Sequence, residues 1–376
     1  MKPLKGIRVL DLTHAHAGPI CAYYLGAMGA DVVKIEPLWG EMTRMFPPLV
    51  KGLSPYFAFL GRCKRGVTLD LKKPRGKELF EELVKKSDVV LENFSPGTMD
   101  RLGLGWDRLR ELNPGIVYAS ISGFGHTGPW RDYRSYDPIA QAASGFMWLM
   151  RDVVDPEGDY YVAPEAIADT VPGFTALIGV LAALYSRHET GVGDRVDVAQ
   201  LDSMIAIQQS VSFWNLAGMT FTQAIKGAGP SVYGLYEACD GWVMLSLTAG
   251  RITDNFMELS GIDELEVERI AEWVKRYTVS EVIEVLSRNG VPVAPVDDLD
   301  MVQENVQARA RGMFVEVDDP RVGKHLQPGF PLRFGGEAMD VSVPAPGLGE
   351  DNLEVFGELL GLSVEEVEQL HRDGVV

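Results

Sequence analysis

Two stretches of this sequence carry side chains that could do chemistry. In one, Glu165-Ala166-Ile167-Ala168-Asp169-Thr170-Val171-Pro172-Gly173 sets a single aspartate at the head of a helical pattern. The apolar run 174–185 follows and ends in Arg187-His188-Glu189-Thr190-Gly191. A carboxylate at a helix N-terminus meets unpaired backbone N–H groups and the positive end of the helix dipole, which favour its ionised form. Held there, it can attack an activated acyl group. The same placement describes an ordinary N-cap, the commoner use of an aspartate before a helix. Pro172 falls in the first turn on this reading, where its missing N–H costs little.

The other stretch is Thr13-His14-Ala15-His16-Ala17-Gly18-Pro19. His14 and His16 are two apart, on opposite faces of an extended segment, and no Cys or carboxylate cluster accompanies them, so no metal site is expected. Gly123-Phe124-Gly125-His126-Thr127-Gly128 matches the dinucleotide fingerprint GxGxxG, and Glu36 mimics the ribose-binding acid of NAD enzymes. Pro129-Trp130 then stands where a helix should start, and the match follows the fourth strand pattern instead of the first. A nicotinamide oxidoreductase stays only as a rival reading. No G-x-S-x-G elbow supports a serine hydrolase.

The elements that must position these residues are legible as periodicity. Near-continuous β-branched runs at 7–12, 31–36, 88–92 and 116–121, with a fifth strand at 195–198, suit strands buried on both faces of a parallel sheet. Helical patterns at 19–28 and 74–86 lie between them, and the alternation argues an α/β doubly wound domain. Past the turn at 226–230, a strand at 242–247 and short helices over 255–287 mark a smaller α+β domain. The expected boundaries are 1–200 with 345–376 for the large domain, 201–226 for a linker, 227–320 for the small domain and 321–344 for a return linker.

Charge narrows the ligand. Residues 1–100 hold 15 Lys and Arg against 11 Asp and Glu, while 101–376 hold 20 against 42, giving the net −18. So acidic a chain is a poor binder of nucleic acid or an anionic membrane. Its cationic first hundred residues suit a small phosphate-rich ligand. The start of the chain leads into a strand pattern with no signal-peptide core, and the apolar run 174–185 is too short to span a bilayer. Three scattered cysteines, Cys21, Cys63 and Cys239, form no CxxC pair, and reduced thiols in a cytoplasmic protein are the expectation.

Ordered blocks along the chain resemble the family III coenzyme A transferases, the family of formyl-CoA:oxalate transferase, carnitine CoA-transferase and the bile-acid-inducible proteins. The blocks include Val9-Leu10-Asp11-Leu12-Thr13, Leu25-Gly26-Ala27-Met28-Gly29-Ala30-Asp31-Val32-Val33-Lys34-Ile35-Glu36-Pro37, Glu92-Asn93-Phe94-Ser95-Pro96-Gly97, Arg101-Leu102-Gly103, Ala168-Asp169 and Arg187-His188-Glu189-Thr190-Gly191. The resemblance covers nearly all of the first 200 residues. It implies that Asp169 is the nucleophile, attacking an acyl-CoA thioester to give an aspartyl anhydride and then an aspartyl-CoA thioester, from which an incoming carboxylic acid takes the CoA. His16 stands where the formyl transferase has a glutamine, and would donate a hydrogen bond to the aspartyl oxygens or a developing oxyanion, an effect worth ~3 kcal/mol.

Carried over by position, Lys72 and Arg101 would meet the CoA phosphates. Asn93 and Phe94 would meet the pantetheine or adenine, and Arg134 and Tyr136 would lie near the ligand. Pro37-Leu38 replaces the adenine-stacking arginine, leaving Trp39 or apolar contact for that task. The resemblance further implies a Rossmann-like large domain, an interlocked homodimer, CoA as substrate and no tightly bound cofactor. The related α-methylacyl-CoA racemases place a His-Asp pair where this chain has Ser135-Tyr136-Asp137. Transferase is therefore favoured over racemase or another acyl-CoA isomerase, with a non-catalytic CoA-binding protein as a third reading. The residues 144–150 would favour an apolar or aromatic acid if they lined the pocket, and are otherwise core.

Overall fold

The computed structural model describes residues 2–227, 233–248 and 250–376, so most of the expected turn at 226–230 lies outside the described residues. The chain forms two compact units, 1–207 with 310–376, and 208–309.

In the first unit six strands form one sheet: β1 (Arg8–Asp11), β2 (Asp31–Glu36), β3 (Arg65–Thr68), β4 (Val89–Glu92), β5 (Val117–Ser122) and β6 (Arg195–Ala199). All pairings are parallel and the order is β3-β2-β1-β4-β5-β6, the doubly wound arrangement. Its helices are α1 (Ala17–Ala27), α2 (Pro55–Leu60), α3 (Pro74–Val84), α4 (Thr98–Arg101), α5 (Trp106–Leu112), α6 (Asp137–Ala143), α7 (Phe146–Val154), α8 (Ile167–Thr190) and α9 (Gln200–Ala206). Helices Asn352–Leu360 and Val364–Arg372 complete the unit.

Successive strand residues face opposite sides, so the sheet builds two cores. Val9, Val32, Val89, Leu91, Val117 and Ala119 pack beneath α1 and α8 with Ala176 and Val180. Leu10, Val33, Val67, Val90 and Tyr118 pack against Leu79, Phe80 and Leu83 of α3 and against Phe356. Each fully buried Val or Leu contributes roughly 1.5–3 kcal/mol. A Cβ on Gly173 would stand 2.6 Å from the Ala17 carbonyl oxygen, so only glycine lets α8 approach α1 this closely. Helix α8 is long and apolar enough to cross a membrane by length and composition, but its Ala176, Leu177, Val180, Ala183 and Leu184 belong to the sheet's core.

The structure departs from the sequence expectation in four places. The stretch 201–226, expected as a linker, is largely helical and is divided between the units, α9 belonging to the first and helices Ser210–Ala217 and Phe221–Gly227 to the second. Strand β3 is additional, and its four residues Arg-Gly-Val-Thr carry too little apolar signal to be read alone. Residues 310–344 pack with the first unit, not in a small domain or a bare linker. They form a hairpin of Phe314–Asp319 against Gly323–Pro328, and Phe330, Met339 and Val341 join the core beneath α1. Helix α8 begins at Ile167, so Asp169 is its third residue and Pro172 lies in the second turn, where it leaves the Ala168 carbonyl without the usual N–H donor.

The second unit has its own core. Strands Tyr233–Glu237, Trp242–Ser246 and Val293–Pro295 form an antiparallel sheet. Phe256, Ile270, Val274 and Leu286 pack on it from three helices, Arg251–Ser260, Val267–Val274 and Val279–Arg288. The last of these starts in a capping box between Thr278 and Glu281.

Candidate active site

In doubly wound sheets, ligands bind outside the carboxyl ends of the strands where the order reverses, here between β1 and β4. The segment after β1 is held there by its own backbone. Lys34 Nζ donates to the Thr13 carbonyl at 2.8 Å, and Asn93, just past β4, accepts the His14 N–H at 2.9 Å and donates to the His14 carbonyl at 2.8 Å. The Ala15 N–H donates to Glu41 Oε2 at 3.1 Å, and Ala15 itself is left-handed at φ 61°. Beneath them the fully buried pair Lys64–Asp11 closes at 2.8 Å. Burial alone would raise the Asp11 pKa, but the Lys64 and Lys34 charges hold it at about 2.

Asp169 is 9% exposed and sits in a small cleft with His14, His16, Asn93, Ser135, Tyr136 and Gln200. Glu165 and Ala166, at φ 62° and 45°, turn the chain through two left-handed residues into α8. Gln200, the first residue of α9, donates from Nε2 to Asp169 Oδ1. Asp137 heads α6, and its Oδ1 accepts the Ala168 N–H at 2.7 Å. Burial, joined by the Asp137 charge, pushes the Asp169 pKa up to about 7 against the opposing Gln200 bond. The helix terminus was expected to keep this carboxyl readily ionised, and burial with a second carboxylate outweighs it.

His16 stands as the N-cap residue of α1, its Nε2 2.9 Å from Thr170 Oγ1 and its Nδ1 2.9 Å from Tyr56 Oη. Its ring is thus committed to two hydroxyls, whereas the expectation aimed it at the aspartyl oxygens. Burial lowers its pKa to about 4, so the imidazole is neutral at ordinary pH. Burial raises the Tyr56 pKa, with the Asp169 charge adding to it.

A larger cleft of about 390 Å³ adjoins through His14, which lines both. Lys72, Phe94, Trp39 and Pro37 line it, and Lys72 Nζ lies 6.0 Å from the centre of the exposed Trp39 ring. Phe94 stacks on His14 at 5.8 Å. Of the residues expected at the ligand, His16, Asn93 and Tyr136 therefore line the Asp169 cleft, and Lys72 and Phe94 line the larger one. Asn93 also serves as a backbone clamp. Arg101 and Arg134 are exposed and line neither cleft, Arg101 donating to Thr98 Oγ1 at 2.8 Å.

Glu36 is spent on Arg44, at 2.7 and 2.6 Å, and is no free ribose acceptor. Helix α7 is half-buried, with Phe146 packed against Ala140, Ala168 and Met204. Gln200, Tyr56, Thr170 and Glu41 were not anticipated. Thr170 adjoins Asp169 in the chain, whereas no local pattern marks the other three, which reach the site through tertiary packing.

The whole architecture has close relatives. Residues 4–352 match CoA-transferase family III. The chain is 35% identical to a formyl-CoA:oxalate CoA-transferase of Streptomyces avermitilis, over 100% of both chains. It is 31% identical to one of Rhodopseudomonas palustris, over 100% of this chain and 97% of that one. A CAIB/BAIF family protein from Brucella suis superposes with TM-score 0.81 at 29% identity, covering 95% of this chain and 99% of that chain. A hypothetical protein from Mycobacterium tuberculosis gives 0.79 at 28% identity, covering 94% and 98%. The chain belongs to CoA-transferase family III and is an enzyme of that class.

Proposed function

We propose that the enzyme moves CoA from an acyl-CoA to a free carboxylic acid through covalent intermediates on Asp169. The observation that carries this reading is the buried Asp169 carboxyl in a cleft that shares His14 with the larger, Lys72-lined cleft. A CoA molecule lying in the larger cleft, its phosphates toward Lys72 and its adenine against Trp39, would bring its thioester to Asp169. The carboxylate attacks the thioester carbonyl, the C–S bond breaks, and an anhydride and CoA thiolate remain. The thiolate then attacks the aspartyl carbonyl and releases the acyl group as a carboxylate, leaving the CoA thioester on Asp169. The acceptor acid reverses these two steps.

Because relatives are named formyl-CoA:oxalate CoA-transferases, formyl-CoA and oxalate are the first donor and acceptor to assay. Peptide mass spectrometry after incubation with formyl-CoA and hydroxylamine tests the reading. A hydroxamate on the Asp169 peptide, missing from Asp169→Asn, supports it. If formyl-CoA and a wide acyl-CoA panel leave that peptide unmodified, covalent transfer through Asp169 is wrong.

A further inference from the structure

The two oxygens of Asp169 are not equivalent. Oδ1 receives the Gln200 amide N–H, and no hydrogen bond to Oδ2 is seen among the described residues. Gln200 is 6% exposed, lines the same cleft as Asp169, and keeps its Oε1 buried with no hydrogen-bond partner among the described residues. An orphaned buried acceptor is unfavourable, so the fold holds this amide against Asp169 at a loss of stability. His16, the side chain expected to serve the aspartyl oxygens, is occupied by Tyr56 and Thr170.

We infer that Gln200 is a catalytic residue, the oxyanion donor for the step in which CoA thiolate attacks the acylated Asp169. The inference rests on the covalent reading given under Proposed function. The oxygen without a donor, Oδ2, is the better nucleophile and forms the bond to the acyl carbon as the thioester C–S bond breaks. Oδ1 then becomes the carbonyl oxygen of the aspartyl half of the anhydride, still under the Gln200 N–H. When the thiolate sulfur adds to the aspartyl carbon, the C=O electron pair moves onto Oδ1, and the amide meets the charge where it develops. Collapse re-forms the carbonyl, breaks the bond from the aspartyl carbon to Oδ2, and expels the acyl group as a carboxylate that keeps Oδ2.

This role separates two steps that a merely structural role would slow together. The test follows full-length protein with formyl-CoA by rapid quench and intact mass spectrometry, resolving the acyl adduct from the CoA adduct. Gln200→Met keeps the side chain's length and removes the donor. The expected result is an acyl adduct that forms at near the wild-type rate and accumulates, with conversion to the CoA adduct slowed on the order of 100-fold. Gln200→Glu supplies a donor only while protonated, so its conversion should fall as pH rises relative to wild type. Equal slowing of both steps, or no slowing of either, overturns the inference. A wild-type protein that forms neither adduct overturns it together with the covalent reading, whereas a wild type that forms both while the variants show no split overturns the Gln200 role alone.

Discussion

The Asp137 carboxylate is bound to the first turn of the helix that carries Asp169, its Oδ1 accepting the Ala168 N–H at 2.7 Å. A second carboxylate is thereby fixed beside Asp169, and Gln141 Nε2 holds its other oxygen at 2.8 Å.

The first consequence is a pH profile. On the proposed mechanism Asp169 must be ionised to attack, and its pKa is raised to about 7, so acyl-enzyme formation should rise with pH and level off above that value. Asp137→Asn removes one of the two causes and should shift the rising limb to lower pH. Single-turnover acylation followed across about pH 5 to 9 checks both, and an unmoved limb would remove Asp137 from the account. No limb from His16 should appear in that range, because its pKa is lowered to about 4.

The same shift affects folding. A carboxyl whose pKa is raised on folding destabilises the native state as pH climbs from the ordinary carboxylate value through about 7. Asp169→Asn removes that charge and should stabilise the protein at pH 8, by at most about 4 kcal/mol, and by less at pH 5. Urea denaturation of the two proteins at both pH values measures it, and a variant less stable than wild type at pH 8 would contradict it.

Beneath the His14–His16 segment, Lys64 and Asp11 are a fully buried pair. Lys64→Met strands the Asp11 charge and should cost about 3–5 kcal/mol, while replacing both partners with apolar residues should cost far less. Asp11 is held at about 2, so its contribution is present above the ordinary carboxylate value and is lost as pH falls toward 2. A double-mutant cycle by urea denaturation tests the coupling.

In the larger cleft, Lys72→Ala and Trp39→Ala should each raise KM for the acyl-CoA on the order of 10-fold with kcat little changed, the pattern of lost uniform binding. Steady-state kinetics at two salt concentrations would separate them, since only the Lys72 effect should shrink with salt.

How much of this could be read from the sequence depended on how locally each feature is encoded. Strands β1, β2, β4, β5 and β6 announce themselves as apolar β-branched runs because both faces of the sheet are covered. Strand β3 does not, since its Arg65 pairs with Asp31 and Glu358 and its Gly66 packs against Pro346. Asp169 stands out by its place before an apolar helix, and His16 by its place after β1. Their partners do not stand out. Gln200 reaches Asp169 only because β6 lies at the sheet edge beyond β5, and Tyr56 reaches His16 from a helix 40 positions further along the chain. The start of α8 was misplaced because Glu165 and Ala166 adopt backbone angles that no propensity would assign them.

Those two residues bear on how the enzyme should fail under heat. Side chains in the left-handed region lie roughly 1–2 kcal/mol above their ordinary conformations, and here two adjoin immediately before α8. Their joint behaves as a cocked spring that only the surrounding packing keeps set. As the packing loosens on warming, the joint should let go first and swing the carboxyl off its donor while the sheet is still whole. Catalysis would then fade several degrees below the loss of far-ultraviolet dichroism. Ala166→Gly, which removes much of the strain, should narrow that gap between inactivation and unfolding.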